Sequence, residues 1–140
     1  MRQVYYAVEN ELFQKLKLEI KKYNKILQKV YDKQISKTDR LNFIDEKEKS
    51  EIMIQDVLQE KTNLIGYFTE EELESLEGCI ILLENKRTYN ILKSNSINSE
   101  GIEDILVELM EQEEKKIIKK LILFLEKAKK DNKSIIVWIM

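Results

Sequence analysis

Neither histidine nor proline occurs in this chain, cysteine occurs once and glycine three times. Without histidine the chain lacks the usual general base near neutral pH and the commonest zinc ligand. A lone cysteine, Cys79, closes no intramolecular disulfide and completes no Cys/His zinc site within one chain. Ser-His-Asp and Cys-His nucleophile arrangements are excluded for the same reason. There is no Gly-x-Gly-x-x-Gly and no Gly-Lys-Ser/Thr loop, so backbone cradling of phosphate has no support. Acids are abundant enough for carboxylate chemistry or a magnesium site, yet no pair stands out. The expectation is a non-enzymatic protein with no cofactor and no resident metal.

Long apolar runs are also missing. None approaches the ~20 residues that a membrane-spanning helix needs. Met1-Arg2-Gln3-Val4-Tyr5-Tyr6 lacks the apolar core and small-residue cleavage site of a signal peptide. With a single cysteine there is no extracellular disulfide framework either, so a reducing, cytoplasmic setting without membrane contact is expected.

What is present is the material of helices. Apolar residues make up 43% and charged residues 36% of the chain, and helix breakers are scarce. That composition belongs to long amphipathic helices, and the many Leu and Ile set it apart from a disordered chain. The 140 residues are expected to form one helical domain, 1–140, large enough to bury a core without disulfide or metal support. Heavy use of Lys, Ile, Glu and Asn suggests an AT-rich genome, and small proteins without enzyme motifs are common among bacteria, phages and mobile elements.

The net charge of −2 conceals a strong segregation. Residues 15–37 carry eight lysines against Glu19 and Asp32. Residues 70–77 carry five glutamates, and residues 100–114 seven acids, with no base in either stretch. Residues 115–133 carry eight lysines against Glu126 and Asp131.

Residues 2–8 are β-branched and aromatic and read as a short strand. A helix follows over about 11–33, in which Phe13, Leu16, Ile20, Tyr23, Leu27 and Val30 form a heptad seam widened by Leu12 and Ile26. Thr38 or Asp39 is expected to cap a second helix, about 40–65, whose polar first half (45–51) projects into solvent or frays. Gly66 suits the left-handed position that ends such a helix. Thr69 followed by Glu72 is a capping box, so a third helix starts at Glu70, with extra glutamates suited to the positive end of the helix dipole. Residues 79–92 read either as its continuation or as a hairpin of strands 79–83 and 88–92. The helix is the favoured reading because Leu-rich runs prefer it. After a turn-rich loop at 94–99, Ser99 is expected to cap a last helix over about 100–130. Residues 135–140 then read as a strand apolar on both faces, buried on both sides or against a partner. The fold expected is mainly α (α+β), with about four amphipathic helices packed antiparallel and the N- and C-terminal strands forming a minor sheet.

Two sets of residues are candidates for contact. The aromatic and apolar ends, Tyr5, Tyr6, Trp138, Ile139 and Met140, suit either a paired core sheet or an edge offered to a protein partner, including a second copy. Lys15, Lys22 and Lys29 recur every seven residues along the first helix. The lysine-rich first helix is expected to pack its seam on an acidic helix, with residues 70–77 and 100–114 as candidates. The same lysines would suit an anion or a nucleic-acid backbone, although the segment contains no arginine. The reading is therefore a non-catalytic, self-associating protein-interaction module of the adaptor, inhibitor or immunity type. The alternatives are a nucleic-acid-associated regulator using the first helix and, third, sequestration of a small anion between subunits.

Overall fold

The computed structural model describes residues 1–81, 86–111 and 115–140, with residues 86 and 87 described in their backbone only. The elements run β1 (Arg2–Val8), α1 (Asn10–Val30), α2 (Lys37–Lys61), β2 (Asn63–Thr69), α3 (Glu70–Ile81), α4 (Lys86–Lys93), β3 (Ser96–Ile97), α5 (Ser99–Met110), α6 (Lys116–Lys130) and β4 (Ser134–Ile139). They form two compact units, Met1–Phe13 with Thr62–Met140, and Gln14–Lys61. The mainly helical α+β class is the one expected.

In the larger unit the four strands form one antiparallel sheet in the order β2-β1-β4-β3. The first and last strands pair at its centre, from Gln3 opposite Ile139 to Val8 opposite Ser134. Arg2 and Met140 extend the ladder by exchanging backbone hydrogen bonds of 2.8 and 2.9 Å. Alternation along the strands sends Tyr5, Ala7, Ile135 and Val137 into a core shared with α3, α5 and α6. The intervening Val4, Tyr6, Val8, Ile136 and Trp138, on the opposite face, are buried as well. The expectation of a last strand apolar on both faces and buried on both is met across Ile135–Trp138.

Three rings organise the core where β1, β2 and α6 meet. Tyr5 lies 5.4 Å edge-on from Phe68, and Phe124 sits 5.3 and 5.0 Å from the two. Such contacts contribute about 0.5–1.5 kcal/mol each beyond the area they bury. Buried Leu121, Leu125 and Ala128 of α6 face the same core, with Ile102, Ile105, Leu106 and Leu109 of α5.

Polar ends are tied in where the backbone would otherwise lose partners. Ser134, fully buried, donates to Asn10 Oδ1 at 2.7 Å and accepts from the Ser99 N–H at 2.9 Å. One hydroxyl thus joins the starts of α1 and α5 to β4. Past the end of α6, Asn132 adopts φ 52°, its N–H reaches the Lys129 carbonyl and the Lys133 N–H reaches Ala128. This is a Schellman closure, with asparagine supplying the left-handed residue.

The smaller unit is a helical hairpin. Lys29, late in α1, lies 5.0 Å from the ring of Phe43, early in α2. Midway along both helices, burial raises the Tyr23 phenol, and the nearby charge of Glu51 raises it further. Matching late to early and middle to middle makes the two helices antiparallel. The polar stretch 45–51 of α2 is helical throughout and mostly exposed.

Several local expectations are corrected. Residues 63–69 form β2, so Leu64 and Ile65 do not belong to a helix and Gly66 does not end one. The β-forming Leu-Ile-Gly-Tyr-Phe run pairs along β1, and that tertiary partner outweighs the helical spacing of Leu64 and Ile65. Glycine is needed here for room: a Cβ at Gly66 would stand 2.6 Å from Phe124 Cε1 and Cζ. The second helix is capped by Ser36, whose hydroxyl accepts from the Asp39 N–H at 3.2 Å, not by Thr38 or Asp39. The helix expected over 100–130 is two helices, α5 and α6, and Asn98 rather than Ser99 caps the first of them. Residues 79–81 and 86–93 are helical, which removes the hairpin reading, while 82–85 lie outside the described residues.

Gly66→Ala is expected to destabilise the protein by about 1–3 kcal/mol, the usual cost of overpacking. Phe124 is hemmed in by Tyr5 and Phe68 and has nowhere to turn. Urea unfolding measures the loss, and an unchanged midpoint would show that the ring yields freely.

Candidate interaction surface

The two edges of the sheet are unlike. β3 has two residues, too few to template another strand. β2 has seven, Asn63-Leu64-Ile65-Gly66-Tyr67-Phe68-Thr69, with no charge and no proline among them. It is bonded to β1 on one side and, among the described residues, to no strand on the other. Its register against β1 slips between Tyr5 and Tyr6: Gly66 pairs with Tyr5 and Leu64 with Tyr6, leaving Ile65 as an extra residue. That bulge puts Leu64 and Tyr67 on the same face, opposite Tyr6 and Val4 respectively. Both are exposed, Leu64 at 64% and Tyr67 at 41%, while Phe68 is fully buried and holds the strand in place. Arg2 lies over the Tyr67 ring at 4.7 Å.

The strand's ends have different charged neighbours. Beside Asn63 and Leu64, a cavity of about 270 Å³ is lined also by Ala7, Ile65, Lys127, Lys130 and Asp131. At the other end, Thr69 leads into Glu70, Glu71 and Glu72 of α3. The expected capping box is present: the Thr69 N–H donates to Glu72 Oε1 at 3.1 Å, and the Glu72 N–H donates to Thr69 Oγ1 at 3.3 Å. The second oxygen of Glu72 accepts from Lys120 at 2.7 Å. The Lys120 ammonium also lies 5.1 Å from the Phe68 ring and 5.7 Å from that of Tyr67. Glu72 is therefore bound from two sides. The Lys120 hydrogen bond first, then the Thr69 N–H, hold its carboxyl below the ordinary glutamate range.

The residues singled out from the sequence fall elsewhere. Tyr5, Tyr6 and Trp138 are buried in the central strands, and burial pushes the Tyr5 phenol far above the ordinary tyrosine range. Ile139 and Met140 are about half exposed, and the Tyr6 hydroxyl lies 3.8 Å from Met140 Sδ. Lys15, Lys22 and Lys29 are exposed on α1, with Lys22 beside Glu19 at 3.4 Å and Lys29 over Phe43. The acidic stretches bind lysines of α4 and α6: Glu72 binds Lys120, Glu77 binds Lys93 at 3.2 Å, and Glu103 binds Lys129. Leu64 and Tyr67 were not among the candidates. Their signal was available as an uncharged β-forming run between charged helices, but Gly66 read more simply as a helix stop. Among the described residues no group of three Asp, Glu or Cys side chains is placed to hold a metal ion.

A carboxyl depressed in the folded state adds stability that is present above its unfolded pKa, about 4.3, and is lost as pH falls through the lower folded value. Glu72→Gln should therefore unfold more easily than the parent near neutral pH, and the gap should narrow toward about pH 3. Denaturation at both pH values measures it, and a gap independent of pH would assign the loss to the cap geometry alone.

Family models, curated proteins and solved structures were all compared with this chain, and none matches it.

Proposed function

We propose that this is a non-catalytic protein-interaction module that works by accepting a strand along β2. The observation that carries the reading is the seven-residue, charge-free edge with Leu64 and Tyr67 exposed on one face. Natural edges of this length are blunted by lysine, proline or a covering segment. β2 itself carries neither lysine nor proline, and the bulge at Ile65 interrupts it. Strand addition draws affinity from main-chain hydrogen bonds and specificity from alternate side chains, and Leu64 and Tyr67 would supply the latter. The lack of histidine and the single cysteine agree with binding rather than catalysis.

Extended peptides selected from a random library against the immobilised protein test this. Bound peptide should slow amide exchange at residues 63–69, and binding should be lost in Leu64→Lys and in Tyr67→Lys. Both sites are exposed, so neither change reaches the core. Peptides that leave exchange at 63–69 untouched would sink the reading.

A second reading, nucleic-acid association through α1, is favoured by the exposure of Lys15, Lys22 and Lys29. It predicts binding of mixed-sequence DNA or RNA at low ionic strength that weakens steeply with salt. Fluorescence anisotropy across a salt series decides it, and no binding at low salt would remove it.

A further inference from the structure

We infer that the outer face of α1 binds the phosphate backbone of a nucleic-acid duplex, in preference to a single strand. This rests on the second reading, nucleic-acid association through α1, and names its ligand.

The face lies in the smaller unit and carries one sign of charge. At about 100° per residue, Lys15, Leu18, Lys21, Lys22, Lys25 and Lys29 fall within an arc of about 120° along about 21 Å of helix. All six are exposed. From Gln14 to Val30 the one acid is Glu19, half-buried beside the arc and 3.4 Å from Lys22. Glu11, one turn before Lys15, bounds the face at its N-terminal end. The packed side of the helix is opposite: Leu16 is buried, and Ile20, Tyr23, Leu27 and Val30 are half-buried. α2 lies on that side, bringing Glu51 near Tyr23. Within α2, Glu51 pairs with Lys47 at 3.9 Å and Asp45 with Lys49 at 3.0 Å. Among the described residues, Lys15, Lys21 and Lys25 form no ion pair. The net charge of −2 belongs to the whole chain, and screening within about 8 Å at physiological salt leaves a bound phosphate governed by the lysines beside it.

What the face does not carry selects the ligand. A protein partner needs apolar surface to bury, and the cores of such interfaces are poor in lysine. Leu18 is the one apolar residue among the six. A helix lying on a membrane sinks its apolar stripe into the lipid, whereas the stripe of α1 is packed on the inner side. Single strands are held by aromatic rings that stack on their bases. The six residues include no ring, and Tyr23 lies on the packed side. Tyr31, exposed just past the helix, is close enough to Tyr23 for its charge to raise that phenol, so it keeps to the same side. Duplex phosphates need neither apolar surface nor rings. They form a dense outward array of charge that lysines bind as point charges.

Competition binding by the full chain is the test, with short mixed-sequence duplexes of DNA and of RNA, the single strands of each, and polyglutamate as a non-nucleic polyanion. A duplex should bind more tightly than its own strands at equal length and salt, and whichever duplex binds identifies the source of the phosphate. Three to five neutralised phosphates give log K against log salt a slope of about −3 to −4.5. Replacing two lysines of the face together, Lys21→Gln with Lys25→Gln, should weaken binding and make the slope shallower by about 2. Lys119→Gln, at an exposed lysine of α6, should change neither. All three sites are exposed, and circular dichroism checks that the fold is kept. Single strands bound as tightly as the duplex would overturn the inference and leave nucleic-acid association standing. Polyglutamate competing equally per charge, or a slope indifferent to the paired change in a folded protein, would also overturn it. No binding at low salt would remove the inference and the second reading together.

Discussion

The pairing of β1 with β4 is the contact on which the larger unit depends. It joins residues 2–8 to residues 134–139, with every other element of that unit lying between them in sequence. β2 is held to the sheet only through β1, and β3 only through β4. The two central strands carry apolar side chains on both faces, so losing their pairing would expose Tyr5 and Val137 on one side and Tyr6 and Trp138 on the other. Closing so long a loop costs little more free energy than closing a shorter one, ~0.6 kcal/mol per doubling, but it delays the reward until distant segments meet. The helices between them have local hydrogen bonds and need not wait.

Around that pairing, polar groups are spent on junctions. Ser134 ties β4 to the starts of two helices, Asn132 closes α6, and Glu72 starts α3 while holding Lys120 of α6. The charge segregation of the chain has a structural outlet in the same unit. The acids of α3 and α5 meet lysines of α4 and α6, as in Glu77 with Lys93 and Glu103 with Lys129. These pairs are largely exposed and add little stability each.

The proposed function rests on the sheet's asymmetry. A two-residue strand closes one side, and a seven-residue strand without charge forms the other. The reading of the protein as an interaction module follows from that contrast. It also moves attention from Trp138, which is buried, to Leu64 and Tyr67, which are not.

Where a signal is local and reinforced, the sequence alone was sufficient. Thr69 with Glu72 marks the start of α3 because both halves of the capping box lie within one turn. The β-branched run at 2–8 and the apolar run at 135–140 are strands, and the heptad spacing of Phe13 to Val30 is a helix. The charge-free stretch after α2 was not legible. Leu64 and Ile65 fit a helical spacing and Gly66 fits a helix stop, so local preference pointed the wrong way until β1 was available as a partner. The break between α5 and α6 was hidden for the same reason, because one apolar stripe runs through both. Class, charge segregation and the start of α3 were thus determined by the sequence, since they depend on neighbours a few residues away. Which strands pair, which edge stays open and why Gly66 must be glycine were decided by the tertiary structure. Each depends on residues far away in the chain, such as Tyr5 and Phe124, that only packing brings alongside.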